Sequence, residues 1–291
     1  MMVRLIDDDI ETREVLEWKG IHLLHHATSS CSQKTRIVLN LKGVQWESHI
    51  VDLRKKQNNE AWFLGINPRG LVPVLVIDGA VHIESNDILM YLDEHFPDPR
   101  LVPEGRKDEM IRLLEDEDDL HLDLRNLTMR YVVPPDLLGK SPEVLASYRQ
   151  HGSGTVRGAA DSRKAVELEY WERFNATGGV PDDAVISSAH RFRQEFNRHE
   201  NVLTGRDYLF GDALSLLDIA WFVYATRMKL VSYPLEALHP HVDRWYEGLR
   251  ARPVFSDEAA VLDRVGPQLV ERRARETREG QSLIQLTGLA S

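Results

Sequence analysis

Three short stretches of the chain hold residue types whose chemistry goes beyond packing. Ser29-Ser30-Cys31-Ser32 lies between an apolar run, Ile21 to Leu24, and the segment QKTRIVLNLKG, so its hydroxyls and thiol fall where a strand gives way to a helix. A helix N-terminus presents unpaired N–H groups and a partial charge of about +0.5, which stabilises an anion. A hydroxyl there can donate to a thiolate, and each unit by which a thiol pKa falls below ~8.5 is worth roughly 1.4 kcal/mol. The same serines can equally serve only as helix caps, and Cys31 can be a nucleophile or a small packed side chain.

Val72-Pro73 stands directly before an apolar strand. A cis bond there would turn the Val72 N–H and C=O toward a peptide-like ligand, whereas a trans bond would simply lead into an edge strand. Glu84-Ser85 precedes a further helical segment and offers a carboxylate to an ammonium group, with a cap N–H and hydroxyl for a carboxylate; the bland alternative is plain capping.

The elements that must hold these residues follow from the pattern. Ile21 to Leu24 predicts a strand, Ser30 with Gln33 a capping box opening a helix, and Gly43 its left-handed stop. His49 to Leu53 predicts the next strand, completing a β-α-β unit of about 33 residues. Trp62 and Phe63 mark a short helix. Val74 to Ile77 and Ala80 to Ile83 flank Asp78-Gly79, the signature of a type I′ hairpin. Ser85 then caps a helix through Ile88, Leu89 and Leu92 that stops at Pro97. From Pro103 the period is helical, with one long helix over about 108–131 carrying Leu113, Leu114, Leu120, Leu124 and Leu127. Pro, Gly and Ser content around 134–163 marks a long, partly irregular insertion, a lid or a partner surface, and residues 266–291 read as a charged helix and tail.

The 291 residues suffice for two domains, and 42% hydrophobic with 28% charged is a globular composition. A balance of 36 basic against 46 acidic residues, net −10, argues against nucleic acid as a partner. No apolar run is long enough for a membrane span. Asp7, Asp8, Asp9 and Glu11 replace what a signal peptide would need, and a single cysteine excludes an internal disulfide framework, so the expected compartment is cytoplasmic. No metal site is expected. Consecutive helical residues in Glu115 to Asp119, with His121 and Asp123, point in diverging directions, and His22, His25 and His26 lack a known ligand spacing.

Taken together, SSCSQKTRIVLNLKG, NPRGLVPVL and IESNDILMYLDEHFP resemble the N-terminal domain of cytosolic glutathione S-transferases. LFGDALSLLDIAWF, with Ser215 and Asp218 as a capping pair, and WYEGLRARPVF resemble the helical half of the same superfamily. The resemblance implies an α/β thioredoxin-like N-terminal domain followed by an all-α C-terminal domain. The implied boundaries are an extension over 1–20, the glutathione-binding domain over 21–101, the all-α domain over 102–265 with the insertion near 134–163, and the tail. It places Ser29, or Ser30 if the register slips, at the catalytic serine position. Val72 and Pro73 would hold the cysteinyl part of glutathione, Glu84 and Ser85 its γ-glutamyl end, and Asn58 and Lys55 its glycine carboxylate. Leu71 departs from the lysine or glutamine common before the Val-Pro pair.

What the resemblance implies is a homodimeric detoxification-type transferase using glutathione as co-substrate and no metal. The glutathione thiolate would attack a small hydrophobic or aromatic electrophile, with Met129 and Tyr131 as candidate lining residues. Features of bacterial β-etherases, zeta isomerases and theta-like members coexist; the shorter chains of zeta isomerases weigh against that class, and ether cleavage or general conjugation is expected. Two rivals stand beside it: a catalytically weak glutathione-binding or regulatory protein of the same fold, and a glutathione-dependent thiol oxidoreductase using Cys31.

Overall fold

Ile21–His25 (β1) shows no polar alternation because it is a central strand, covered on both faces. Ser30–Leu41 (α1) follows, then Glu47–Ile50 (β2), Ala61–Leu64 (α2), Val74–Ile77 (β3), Ala80–His82 (β4) and Ser85–His95 (α3). The four strands stand in the order β2-β1-β3-β4, with β1 parallel to β2 and the other neighbours antiparallel. Lys107–Asp118 (α4) and His121–Tyr131 (α5) come next, then Pro142–Gln150 (α6), Thr155–Val156 (β5), Ala159–Ala160 (β6) and Arg163–Thr177 (α7). The remainder is helical: Asp182–Val202 (α8), Leu216–Leu230 (α9), Leu235–Leu238 (α10), Pro240–Arg250 (α11), Pro253–Asp263 (α12), Gly266–Arg278 (α13) and Leu283–Thr287 (α14).

This computed structural model describes residues 3–134 and 137–289. It divides into two units, one of Met1–Asp98 with Gly139–Gly178 and the other of Pro99–Leu138 with Gly179–Ser291. The insertion therefore packs from α6 to α7 with the α/β unit, and it is more regular than its Pro, Gly and Ser content suggests. Ser141 caps α6 and Pro142 occupies the first helical position, where a missing N–H costs nothing.

In the α/β unit, α1 and α3 pack side by side and are bolted by buried polar contacts. Lys42 Nζ donates to Asp93 Oδ1 at 2.6 Å and Lys34 Nζ to Asn86 Oδ1 at 3.0 Å. Another core joins the sheet residues Leu24, Val74, Val76 and Val81 to Phe63 and Ile66, to Leu5, Ile10 and Val15 of the acidic leader, and to Val156 of the insertion. The leader is thus part of the core. Leu5 N–H donates to Val81 O at 2.9 Å and Ile83 N–H to Val3 O at 3.1 Å, so the leader covers the β4 edge, which would otherwise expose unpaired backbone groups.

The anchor of the leader is Asp9, fully buried. Its carboxylate accepts from Ile6 N–H at 3.0 Å, Thr155 Oγ1 at 2.7 Å, Arg157 N–H at 2.7 Å and Gly158 N–H at 3.0 Å. Burial alone would raise its pKa, but the hydrogen bonds from Gly158, Thr155, Ile6 and Arg157 outweigh burial and hold it below the ordinary carboxylate value.

Four local expectations are corrected. The cap of α1 is Ser29, one residue earlier than Ser30, and Gln33 closes no capping box. Strand β2 ends at Ile50 because the Asp52 carboxylate accepts from Arg54 N–H at 2.9 Å and Lys55 N–H at 3.3 Å, folding the chain into a turn. Ser85 opens α3 as its first residue, and the cap position falls to Glu84 at φ 67°. The single helix over about 108–131 is two helices, α4 and α5. The break follows Glu115-Asp116-Glu117-Asp118, a run of acids at the helix end whose dipole is negative.

In the helical unit, α9 is buried along nearly its whole length. The Asp218 carboxylate accepts from Ser215 N–H at 2.9 Å and Ser215 Oγ at 2.6 Å, completing the capping box. Its other oxygen accepts from Leu209 N–H at 2.8 Å and Trp245 Nε1 at 2.9 Å, tying α9 to α11. The C-terminal residues are held rather than trailing: Arg272 Nη1 donates to Val133 O at 2.8 Å and Leu289 is buried.

Candidate functional site

Strand register brings the three chemical stretches to one end of the sheet. Leu24 lies opposite Val74 and Leu75 opposite His82. The C-terminal end of β1, the N-terminal end of β3 and the C-terminal end of β4 therefore coincide. From that end emerge the turn carrying Ser29, the segment Leu71-Val72-Pro73, and Glu84-Ser85.

Ser29 caps α1 with its Oγ accepting from Ser32 N–H at 3.3 Å. A hydroxyl accepts through its lone pairs, so its own proton stays available for an anion. The turn is pinned by buried Arg36, whose guanidinium donates to His26 O at 3.1 Å, Ala27 O at 2.9 Å and His25 Nδ1 at 3.0 Å. Burial and the Arg36 charge push His25 down to about 4, so it is neutral near pH 7. Ser30 is half-buried in the first helical turn, and Cys31, also half-buried, has its carbonyl engaged by Thr35 Oγ1 at 3.2 Å.

The Val72–Pro73 peptide is cis. Among the described residues, no backbone partner is formed by the Val72 N–H or C=O. The preceding carbonyl, of Leu71, is fixed by Asn67 Nδ2 at 2.8 Å.

Glu84 is held by Arg69, whose Nη1 bonds its Oε1. The rest of the guanidinium grips Asp161 from the insertion, Nε to Oδ2 at 2.8 Å and Nη2 to Oδ1 at 2.7 Å. Burial opposes the Arg69 charge, but Asp161 and Glu84 outweigh it and keep the group protonated. One cation between two carboxylates leaves the cluster net negative, which favours an incoming ammonium group. The Arg69 backbone is fixed as well: buried Tyr148 donates its hydroxyl to Arg69 O at 2.6 Å. The next residue must be glycine, because at φ 65° a Cβ on Gly70 would meet the Tyr148 ring at 2.8 Å.

Of the residues assigned to the glycine end of glutathione, Asn58 donates its Nδ2 to Gly70 O at 2.8 Å, two residues before Val72, and Lys55 is exposed. Met129 and Tyr131 belong to the helical unit; Tyr131 is buried, with its hydroxyl on Gln281 O at 3.3 Å and burial pushing it up to about 12. Sequence reasoning missed Arg69, Tyr148 and Asp161. The arginine sits inside the NPRG motif, whereas Asp161 lies in a stretch without any motif.

The sequence matches the family model of the Glutathione S-transferase, N-terminal domain, over residues 28–95, and that of the Glutathione S-transferase, C-terminal domain, over residues 189–248. The chain belongs to the glutathione S-transferase superfamily. The first of these matches spans Ser29, Val72, Pro73, Glu84 and Ser85; the insertion lies outside both.

Glutathione S-transferase 1 of Dianthus caryophyllus is 42% identical over 88 residues, 30% of this chain and 40% of that protein. The chain spans about two fifths of the length of the first curated relatives it matches. The probable maleylacetoacetate isomerase of Vibrio cholerae is 27% identical over 237 residues, covering 79% of this chain and 91% of that one. Among solved structures, the β-etherase LigF from Sphingobium sp. strain SYK-6 superposes with a TM-score of 0.68 at 24% identity, over 82% of this chain and 98% of that one. At that identity the likeness establishes the transferase fold, an α/β thioredoxin-like domain with a helical one. No helix among the described residues is long and apolar enough to cross a membrane.

Proposed function

We propose that this transferase binds glutathione at the sheet end formed by Ser29, Val72 and Glu84 and directs its thiolate at a small hydrophobic or aromatic electrophile. The observation that carries the reading is the Ser29 hydroxyl, fixed by Ser32 N–H at the N-terminus of α1 with its proton still to give. Glutathione fits the residues present. Its cysteinyl backbone meets the N–H and C=O of Val72, and its ammonium group meets the net negative Arg69, Glu84 and Asp161 cluster. Ser85 N–H, in the first turn of α3, serves the adjoining carboxylate. The Ser29 hydroxyl and the helix dipole stabilise the thiolate. The thiol proton leaves to solvent, the sulfur lone pair forms the new carbon–sulfur bond, and the leaving group departs with its bonding pair.

In substitution the electrophile is an aryl ether or halide; in conjugation it is an activated alkene, where no group leaves and the displaced π pair takes up a proton from solvent. A second reading is cis–trans isomerisation, in which the thiolate adds to a double bond and is expelled after rotation. It is favoured by 41–43% identity to plant zeta-class transferases, over 83 residues in each case. A homodimer in a reducing compartment is part of both readings.

Glutathione-dependent turnover should be measured on a chloronitrobenzene, an alkyl halide, a β-aryl ether, a maleyl-type diacid and a disulfide, with glutathione calorimetry alongside. Turnover of a carbon electrophile that falls in Ser29→Ala supports the transferase. Isomerisation of the diacid alone selects the second reading. Disulfide turnover lost in Cys31→Ala but kept in Ser29→Ala points to an oxidoreductase, and binding without turnover to a regulatory protein.

A further inference from the structure

We propose that His22, Glu47 and His49 form a binding site for a divalent cation of the zinc type on the outer edge of the sheet, apart from the glutathione residues. The argument begins with register. Strand β2 is an edge strand and runs parallel to β1, with His22 opposite Glu47 and Leu24 opposite His49. Side chains two residues apart on a strand share a face, so Glu47 and His49 stand on the same side of β2, flanking His22. His22 lies near the start of β1, whereas Ser29 follows its end, so the cluster and the glutathione residues occupy opposite ends of the strand.

The distances among the donor atoms are those a small tetrahedral cation needs. His22 Nδ1 lies 3.0 Å from His49 Nε2 and 3.3 Å from Glu47 Oε2, and His49 Nε2 lies 3.9 Å from Glu47 Oε2. Ligands at about 2.0–2.2 Å from a tetrahedral zinc stand roughly 3.3–3.5 Å from one another, a value these separations bracket. All three donors lie within 4.8 Å of one another.

The imidazoles are also oriented as ligands. His22 Nε2 faces Lys19 O at 2.8 Å, and only an N–H can make that bond. The proton of His22 is thereby assigned to Nε2, and Nδ1 directs a lone pair at His49 and Glu47. A backbone carbonyl on the far ring nitrogen is the usual support for a metal-bound histidine. Trp18 fixes both rings, stacked on His49 at 4.5 Å and 16° and tilted against His22 at 4.7 Å. Without a cation, His49 donates Nε2–H to His22 Nδ1; a cation is accommodated when His49 carries its proton on Nδ1. Glu47 is exposed, which leaves a fourth position for water. His25 takes no part: its Nε2 bonds Ser48 Oγ at 2.8 Å and its Nδ1 faces Arg36.

Two imidazoles and one carboxylate suit zinc, cobalt(II) or nickel(II) better than magnesium or calcium. Zinc chloride should be titrated calorimetrically into the full-length, untagged chain without glutathione, and cobalt(II) chloride followed by visible absorption. One equivalent of zinc and the intense bands of four-coordinate cobalt are expected, with at least tenfold weaker binding in His49→Ala and in Glu47→Gln. Both variants alter residues that are not fully buried, and far-ultraviolet circular dichroism checks that they fold. Zinc binding unchanged in both variants places the ion on other histidines and overturns the site. Weak, octahedral cobalt spectra or no zinc uptake by the wild type overturn it equally.

Discussion

Arg69 and Asp161, ninety-two residues apart, meet in a two-pronged ion pair, and the third guanidinium nitrogen of Arg69 holds Glu84. The insertion thus reaches the carboxylate proposed to receive the ammonium of glutathione. Removing the Asp161 charge leaves Arg69 neutralised by Glu84 alone and cancels the cluster's net charge. Asp161→Asn should therefore raise KM for glutathione by about fivefold or more, the lower end of typical coupling between sites, with kcat little changed. Steady-state kinetics with varied glutathione checks it; an unchanged KM would separate the insertion from substrate binding.

Ser29 has two separable roles, as helix cap and as donor to the thiolate. Losing the cap costs about 1 kcal/mol of stability. Losing a donor aimed at developing or resident negative charge typically costs on the order of a hundredfold in rate. Ser29→Ala should show both, together with a bound glutathione thiol whose pKa moves back toward ~8.5. Thiolate absorbance of the complex against pH measures this, and a pKa indifferent to the substitution would assign Ser29 to capping alone.

The hairpin, the helices α1 and α3 and the order of elements along the α/β domain were legible because each rests on local signals: Asp78-Gly79, Gly43 and the apolar runs. Asp78 at φ 47° and Gly79 at φ 83° form the turn those residues announce. What stayed hidden was long-range pairing. Asp9 is one of three consecutive acids in a charged leader, with nothing nearby to mark it as buried, yet it is buried because Thr155, Arg157 and Gly158 from the distant hairpin supply its donors. Asp161 and the His22–His49 contact were hidden for the same reason, since a register or an insertion fold decides them and no local spacing does. Cap positions shifted by one residue at Ser29, where two adjacent serines of equal capping competence compete, and at Glu84, whose side chain makes no cap bond.

Acid should weaken the α/β unit before its carboxylates titrate. Burial, with Arg36, holds His25 at about 4, and burial, with Arg4 and His95, holds His82 at about 4. Both are depressed bases, so the unfolded chain binds more protons between the ordinary histidine value of 6.5 and about 4. Stability therefore falls as pH drops through that window, by roughly 1.4 kcal/mol per pH unit for each histidine. Urea midpoints at pH 7, 6, 5 and 4.5 test this; His82→Gln should flatten the slope, and an equal slope would remove His82 from the account.

Asp9 contributes lower on the pH scale. Its pKa is depressed, so its stabilisation is complete well above the ordinary carboxylate value and disappears as pH falls through the lowered one. Asp9→Ala strands buried donors and should cost about 2–3 kcal/mol at pH 7. The gap between variant and wild type should close toward pH 2, and proteolysis should cut the leader faster in the variant at neutral pH. A gap that persists at pH 2 would trace the loss to packing instead.

Lys42 and Asp93 form an ion pair whose side chains are almost wholly inaccessible, at 0% and 4%. Two desolvated charges are expensive separately and roughly break even together, so the effect of substitution depends on whether one or both are removed. Asp93→Ala leaves an ammonium buried at the C-terminal cap of α1 and should cost about 3–5 kcal/mol. Part of that cost is returned by the helix dipole, which favours a cation at this end, so Lys42→Met should cost somewhat more than Asp93→Ala. The paired Lys42→Met with Asp93→Leu should recover most of the loss, because the apolar pair fills the space without stranding a charge. Urea unfolding of the four proteins gives the coupling energy directly. Additive losses in the double variant would mean that the two side chains stabilise the α1–α3 contact independently, through neighbours other than each other.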